Sequence, residues 1–558
     1  MRSVPDSPQA ALASPWVPLR REVFRAIWIA SLVSSIGSTI NDTAAVWTMS
    51  TLSHSPLLIS LMATVSSVPI FILSLPAGAL ADVVDRRRIL LASQGWMLVV
   101  ATLLSGMAWM HGLHAWVLLT AAAALGLGVA FNTPAWGSIM PDLVPREEMP
   151  AAVTLGSLAL NAARAIGPAL AGTLIAASGA AFCFSLNALS FLWVVITLKR
   201  WRPETKPAPL RGERFLGALG AAIRYAAHAP GMQTVLVRSG AFIFCGVAVT
   251  SLLPIQATQR LHLPASEFGL LMGAFGCGAI MMAIAGLPWL RSRVTPEALL
   301  QLATAALGGV LLGMIFAIQL GWLLLVTFFG GAAWIAGISV LAVGNQNAMP
   351  AWARGRMNAL YLTVTQGCIA LGGVAWGQTT SALGLSMALC LSGLATLATV
   401  LLAWKFPLGL PYGLDLTAAG TLASPSYAME PDPDDGPVIV ILEYLVEPAL
   451  ATGFLAAMRP VRLHRLRDGA ARWSLAQDIT DPERFIEEFT VESWAEHLRQ
   501  HDRITHTDAE FHAHARSFHR GKDQPRVQHF LARDVRLPVA ITETPQPIPN
   551  AEPTASSL

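Results

Sequence analysis

Charge is what this chain has least of. Only 13% of its 558 residues are Asp, Glu, Lys or Arg, about half the share of an average soluble domain, which excludes a solvated globular surface over most of its length. Cysteines are few, and Cys183, Cys245, Cys277, Cys368 and Cys390 all lie inside apolar stretches; they are expected as core thiols, not as a disulfide framework. There is no glycine-rich run ending in Gly-Lys-Ser/Thr and no His-Glu-x-x-His run, so neither a phosphate-cradling ATP site nor that metalloprotease helix is predicted. No charged, short-hydrophobic, small-residue leader precedes the first apolar stretch, so residues 1–19 read as a cytoplasmic arm and no cleaved signal peptide is expected.

What the chain has instead is long hydrophobic runs. Twelve of them occupy 24–50, 56–80, 89–110, 115–138, 151–177, 180–198, 232–256, 265–290, 297–318, 322–345, 358–380 and 383–404. Each is long enough to cross a bilayer, which takes about 20 apolar residues because hydrocarbon cannot satisfy exposed backbone groups. The pI of about 8.7 conceals two unlike parts. Residues 1–407 carry 23 Lys or Arg against 12 Asp or Glu, net +11, and residues 408–558 carry 14 against 22, net −8. The basic excess is therefore an orientation signal and not a nucleic-acid surface. Arg20, Arg21 and Arg25, Arg86 to Arg88, Arg146, Lys199 to Arg214, Arg291 and Arg293, Arg354 and Arg356, and Lys405 fill alternate gaps. The other gaps hold little beyond His54, His111, His114, Arg260 and Glu267. The expectation is a multi-pass protein of a cell (inner) membrane with both termini cytoplasmic.

A weak repeat of roughly 208 residues divides the apolar part in two. GALADVVDRRRILL from Gly78 is echoed by GLPWLRSRVTPEALL from Gly286, PREEM from Pro145 by ARGRM from Ala353, and GPALAG from Gly167 by GGVAWG from Gly372. The expected organisation is an arm (1–19), a six-helix half (20–198), a cytoplasmic linker (199–231), a second half (232–406), a flexible linker (407–437), an α+β domain (438–533) and a disordered end (534–558). Parallel repeats of this kind are the plan of alternating-access transporters, with the substrate site between the halves.

GALADVVDRRR resembles the signature loop between the second and third helices of the major facilitator superfamily, with Val83 where a basic residue is common and Asp85 where glycine is common. GPALAG resembles the Gly-Pro signature of exporters in that superfamily, and MPDLVPREEMPAAVTLGSLALNAARAIGPALAG is similar to the transmembrane secretion effectors, a branch that includes enterobactin exporters. The resemblance implies the major facilitator fold, an all-α membrane protein of twelve transmembrane helices in two halves. It also implies a cytoplasmic gate at Gly78, Asp82, Arg86 and Arg87, in which a carboxylate at a helix end latches onto arginines in one state only. Topological anchoring by the arginines and helix capping by Asp82 is the other reading of the same residues. Gly167, Pro168 and Gly172 are expected to give close helix packing and an exporter hinge.

Charge inside a span costs roughly 2.5–3.5 kcal/mol, so a charged residue there needs a partner or a wet cavity. Asp42 and Arg164 are the two so identified, and both are proton-coupling candidates. They either pair with each other, or Asp42 sits at the outer interface and Arg164 bonds a carbonyl or Asn161. Asn41, Asn132, Gln256 and Gln366 are candidates for binding substrate; like Asn345, Gln346 and Asn347, they are equally suited to gluing helices together.

Beyond the Pro- and Asp-rich linker, strands are expected at 437–446, 473–479, 484–490 and 527–532 and helices at 449–458 and 491–500, a small ferredoxin-like α+β domain. It resembles the cytoplasmic extension of some secretion effectors. Eight of the 13 histidines lie in this part. His497 and His501 share a helix face near Glu496 and Asp502, with His512, His514 and His519 following; without cysteine partners they read as packed or solvated, and no metal or cofactor is expected. The function expected is a proton-coupled secondary transporter, exporting a small amphiphilic molecule such as a siderophore, drug or secondary metabolite. Its partners would be that substrate, the lipid bilayer and a second copy through the C-terminal domain, with no nucleic acid. The alternative is a membrane-anchored enzyme or sensor whose C-terminal domain carries the activity.

Overall fold

The structure, a computed structural model, describes residues 16–201, 215–409, 415–417, 419, 431–521 and 523–532. It comprises two compact units, one of residues 1–419 with Thr505–Thr507 and one of the remainder. Most of the expected arm at 1–19 and linker at 407–437, and all of the end at 534–558, lie outside the described residues.

The first unit is helical, as a chain in hydrocarbon must be. Its elements are α1 (Glu22–Leu52), α2 (Pro56–Val83), α3 (Arg86–Trp109), α4 (Ala115–Leu143), α5 (Met149–Arg200), α6 (Phe215–His228), α7 (Pro230–Gly246), α8 (Ala248–Ile255), α9 (Ala265–Met281), α10 (Leu287–Arg291), α11 (Pro296–Ile315), α12 (Leu320–Asn347), α13 (Arg354–Leu383) and α14 (Leu385–Ala398). Several start on local signals: Asp85 accepts a hydrogen bond from the Arg87 N–H, Thr295 accepts one from the Ala298 N–H, and proline opens α2, α7 and α11.

Among the described residues eleven segments are long and apolar enough to cross a membrane, one fewer than the twelve apolar runs. The difference lies in α5, whose 52 residues run on without a loop where two spans were expected. A straight helix of that length would measure about 78 Å, far more than a hydrocarbon core of about 30 Å. The element breaks at Gly179, with φ 80° and ψ 167°. On α1, Gly37 lies against Ser190 while Thr39 bonds the Ala163 carbonyl, so positions 163 and 190 of α5 stand at one level and the chain doubles back at Gly179. Gly384, with φ 83° and ψ 162°, forms the same junction between α13 and α14. Such backbone is essentially confined to glycine.

The repeat seen in the sequence is a repeat of contacts. A Cβ on Gly167 of α5 would overlap Thr39 of α1, and one on Gly372 of α13 would press on Val247 and the Phe244 carbonyl. One turn further, Gly172 of α5 meets Gly269 of α9, and Gly377 of α13 meets Ser60 of α2. The first glycine of each pair thus packs within its own half and the second packs on the other half, as small residues in membrane helices do. Other contacts joining the halves are Thr64 Oγ1 to the Ala370 carbonyl at 2.9 Å, Ser74 to Thr363 at 2.6 Å, Gln259 to the His54 carbonyl at 3.0 Å, and Trp47 stacked on Phe268. Of these, Ser74–Thr363 lies closest to the arginine-rich ends, nine residues from the end of α2 and from the start of α13.

The second unit holds a four-stranded antiparallel sheet, β1 (Val438–Leu445), β2 (Ala470–Gln477), β3 (Arg484–Val491) and β4 (Arg526–Leu531), in the order β2-β3-β1-β4. Helices α15 (Ala451–Arg467), α16 (Trp494–Arg503) and α17 (His506–Arg516) complete a β-α-β-β-α-α-β chain order. Val438, Val440, Leu442 and Tyr444 alternate inward from β1 onto Phe454, Phe485 and Phe489. Two expectations need correction. The first helix continues through Pro460 to Arg467 instead of stopping at Met458, and Ile479 lies beyond β2, fully exposed. α17 was not anticipated, because HTDAEFHAHAR reads as a ligand set more readily than as a helix.

Gly179→Ala and Gly384→Ala should each destabilise the protein by about 1–3 kcal/mol, read as a lower melting temperature in detergent. Gly309→Ala, at a helical position where an added Cβ meets nothing, should leave the melting temperature unchanged.

Candidate functional site

Parallel packing of α1 on α5 has a constant register. Arg21 pairs with Glu148 at 2.9 Å and the Trp28 indole donates to the Leu155 carbonyl at 2.9 Å, both 127 positions apart. Glu148 is held below the usual carboxylate range by the Arg21 hydrogen bond.

Each helix carries a polar stripe beside this seam. On α1, Ser31, Ser35, Ser38 and Asp42 recur at spacings of 4, 3 and 4, and all are partly or fully accessible. On α5, Thr154, Ser157, Asn161 and Arg164 recur at 3, 4 and 3; the Asn161 side chain lies outside the described residues. Helical periodicity continues the second stripe through Pro168 to Gly172, which touches the other half. Arg164 therefore stands two turns from that contact on the face turned toward it. Leu158 and Ile166, also exposed, occupy the apolar side. Asp42 and Arg164 are both accessible, each well inside its helix.

The pairing of Asp42 with Arg164 is not made. Asp42 accepts from the Asn41 amide at 3.4 Å, and Arg164 forms no ion pair among the described residues. The register explains why: Asp42 is level with Ala169 and Arg164 with Gly37, an offset of five residues or about 7.5 Å along the helices. The repeat gives no second copy of these charges, since Thr250 and Ile369 stand at the equivalent positions.

The remaining candidates are scattered. Asn132 accepts from Gln94 at 3.1 Å, joining α3 to α4. Gln256 is fully buried and caps α11 through the Met314 and Ala317 carbonyls, each at 3.2 Å, a position unsuited to touching a substrate. Asn41 is buried with its carbonyl oxygen unpaired, and Gln366 is half-buried on α13. Asn345 bonds Asn358 at 2.9 Å.

At the arginine-rich loop, Arg87 donates to the Leu198 and Lys199 carbonyls at 3.0 and 2.8 Å, capping the end of α5, and Arg86 reaches Asp142 at 3.4 Å. The Asp82 side chain lies outside the described residues, and Gly78 has open space where a Cβ would be. Sequence reasoning also missed Arg238. It lies in α7, buried, paired with Glu297 at 3.0 Å and bonded to the Phe406 carbonyl at 3.2 Å. Glu297 in turn accepts from the Leu408 N–H at 2.7 Å. The chain that follows the last helix of each half is thus tied down, with different side chains.

In the second unit the histidines are packing groups. His497 is buried against Trp494, His501 and His529, with ring centroids 5.3, 4.9 and 4.8 Å away. His464 and His512 stack edge-to-face at 4.4 Å, and His519 Nδ1 accepts from the Leu445 N–H at 2.9 Å. Glu496 is engaged by Arg499 and Arg503, and the Asp502 side chain lies outside the described residues. Among the described residues no group of three or more ligating side chains could hold a metal. Glu487, wholly buried, accepts from Tyr444, Arg465 and Trp473 at 3.1–3.2 Å.

Comparison with known proteins agrees with this architecture. Residues 13–536 match the family model described as transmembrane secretion effector, a span that includes the second unit. The staphyloferrin A transporter of Staphylococcus aureus is 23% identical over 66% of this chain and 92% of its own. The enterobactin exporter EntS of Citrobacter koseri is 27% identical over 61% and 80%. Among solved structures, a bacterial homologue of the human lysosomal transporter Spinster, inward-facing and unoccupied, superimposes with a TM-score of 0.55 at 14% identity, over 71% of this chain and 97% of that one. A POT family transporter with 5-aminolevulinic acid gives 0.57 at 10%, over 69% and 96%. These structures share the fold.

Burial drives the His497 imidazole down to about 3 and those of His464 and His512 well below their usual range. The unfolded chain takes up these protons from about pH 6.5 downward while the folded domain does not, so stability is intact above that pH and falls progressively below it. Hydrogen exchange across β1 in the full-length protein should accelerate between pH 6.5 and 5, and His497→Phe should flatten the dependence by about one proton.

Proposed function

The chain belongs to the transmembrane secretion effector family of the major facilitator superfamily, and from that premise we propose that it is a proton-coupled exporter of a small amphiphilic molecule of the siderophore type. The observation that carries this reading is the pair of accessible charges, Asp42 and Arg164, on the wall between two halves that meet through small residues. Ion-coupled carriers of this architecture place substrate and coupling ion between their repeats near mid-membrane. A siderophore cargo is favoured by the relatives, of which one is a transporter of staphyloferrin A and another an exporter of enterobactin.

On this reading α5 crosses twice, making twelve spans in two six-helix halves, with the arginine-rich side and both termini in the cytoplasm. Alternating access would open a cleft toward the cytoplasm in one state and toward the other side in the next. Export then requires the halves to rock about the Gly172–Gly269 and Gly377–Ser60 contacts, breaking those near the outer ends. Asp42 is the coupling group, because among the described residues it is the one accessible carboxylate more than a turn inside a span. The second unit is a cytoplasmic ferredoxin-like domain that modulates transport or pairs protomers.

In proteoliposomes with an imposed pH gradient, the wild type should move enterobactin or staphyloferrin A against its concentration. Asp42→Asn should abolish gradient-driven movement while binding remains measurable. Undiminished driven transport by that variant would remove Asp42 from coupling. A chain ending at Leu410 should keep gradient-dependent transport; its complete loss in well-inserted protein would favour an activity seated in the second unit.

A further inference from the structure

We propose that Arg164 is the cargo's anchoring residue and that the exporter selects an oxyanion, a carboxylate or phenolate carried on an otherwise apolar molecule. The inference rests on the transporter reading above and deepens it.

A guanidinium in a membrane helix is expected to be neutralised, as Arg238 is. That residue is buried, sits 3.0 Å from Glu297 and also donates to a carbonyl. Arg164 is its opposite: accessible, with neither an ion pair nor a hydrogen bond to the rest of the chain among the described residues. Among the described residues it is the one cation more than two turns inside a span that is left in this condition. An unpaired charge at such depth is costly, and the neighbouring carboxylate, Asp42, is held out of contact by the helix register. The fork of donors is therefore free for an external acceptor, and guanidinium geometry suits a two-oxygen anion.

The surroundings narrow the class. Ser157 and Thr154 lie about two and nearly three turns below Arg164 on the same face, so the stripe that leads to it is polar. At the repeat-equivalent position of the other half stands Ile369, so the repeat supplies no second cation. A single cation of this kind suits a singly anchored amphiphile better than a polyanion or a cationic drug.

The test measures binding without a gradient, on full-length protein with its five cysteines replaced and Ser38→Cys introduced. Protection of that cysteine from a hydrophilic maleimide reports occupancy. The probes are 1-naphthoate and its neutral isostere 1-naphthamide. Arg164→Gln should weaken naphthoate protection at least tenfold while leaving naphthamide within twofold, and Arg164→Lys should recover most of the loss. Equal weakening of both probes would reduce Arg164 to a structural role, and an unchanged naphthoate affinity would overturn the proposal outright. The same measurement in nanodiscs of phosphatidylcholine, with and without phosphatidylglycerol, identifies the source of the anion. An affinity independent of lipid supports cargo binding, whereas loss of naphthoate protection in the anionic discs assigns the site to lipid headgroups and overturns the cargo role. A protein that binds naphthoate through Arg164 but moves no siderophore under a gradient would fail as an exporter while leaving this inference standing. Driven export undiminished in Arg164→Gln would do the reverse.

Discussion

Close approach of backbones at four glycines is the constraint on which the arrangement depends. In lipid there is no hydrophobic gain from bringing two apolar helices together, so association relies on dispersion contacts between surfaces that fit. Gly167 and Gly372 bring α5 and α13 against the first helix of their own half, and Gly172 and Gly377 bring them against the other half. One helix in each half thus carries both the cohesion of the half and its bearing on its counterpart. The two faces are five residues apart, so a change of tilt at the bearing is transmitted directly to the intra-half seam.

Electrostatics in the membrane unit divides into charges that hold and charges that are exposed. Arg87 closes the end of α5, and Arg238 with Glu297 ties down the segment after α14. Each makes a helix terminus rigid by satisfying carbonyls that lipid could not. Asp42 and Arg164 do no such work, and their presence in one half only breaks the symmetry of the scaffold. The glycine pattern is what the two halves share; the polar stripes are what distinguish them.

Much of the fold was legible because the governing rules are one-dimensional. Apolar run length places the helices to within a few residues, and the echo of GPALAG in GGVAWG marks contacts that the structure repeats residue for residue. The junction at Gly179 was legible only as a gap of two residues between runs; that the chain turns there with almost no loop depends on backbone torsions that composition does not encode. For the site, the serines at 31, 35 and 38 and Thr154 and Ser157 could have been found by testing the spans for polar periodicity of 3.6. Small hydroxyls carry little hydropathy signal, so run length alone does not reveal them. The Asp42–Arg164 pairing was not legible at all, since it turns on the register between two helices. Arg238 was hidden for the opposite reason, its neutralising partner being some 60 residues away in the chain.

The near absence of a loop at Gly179 also bears on how the protein is made. With a single residue of turn, the segments on either side cannot enter the bilayer independently; they must partition as one helical hairpin. The segment from Ala181 to Leu198 carries no charge, so its insertion offsets the cost of burying Arg164 on its partner. The charge that makes the first of the two segments expensive to insert is thereby tolerated through its immediate neighbour, and lengthening the turn would separate the two and expose Arg164 to the translocation machinery alone.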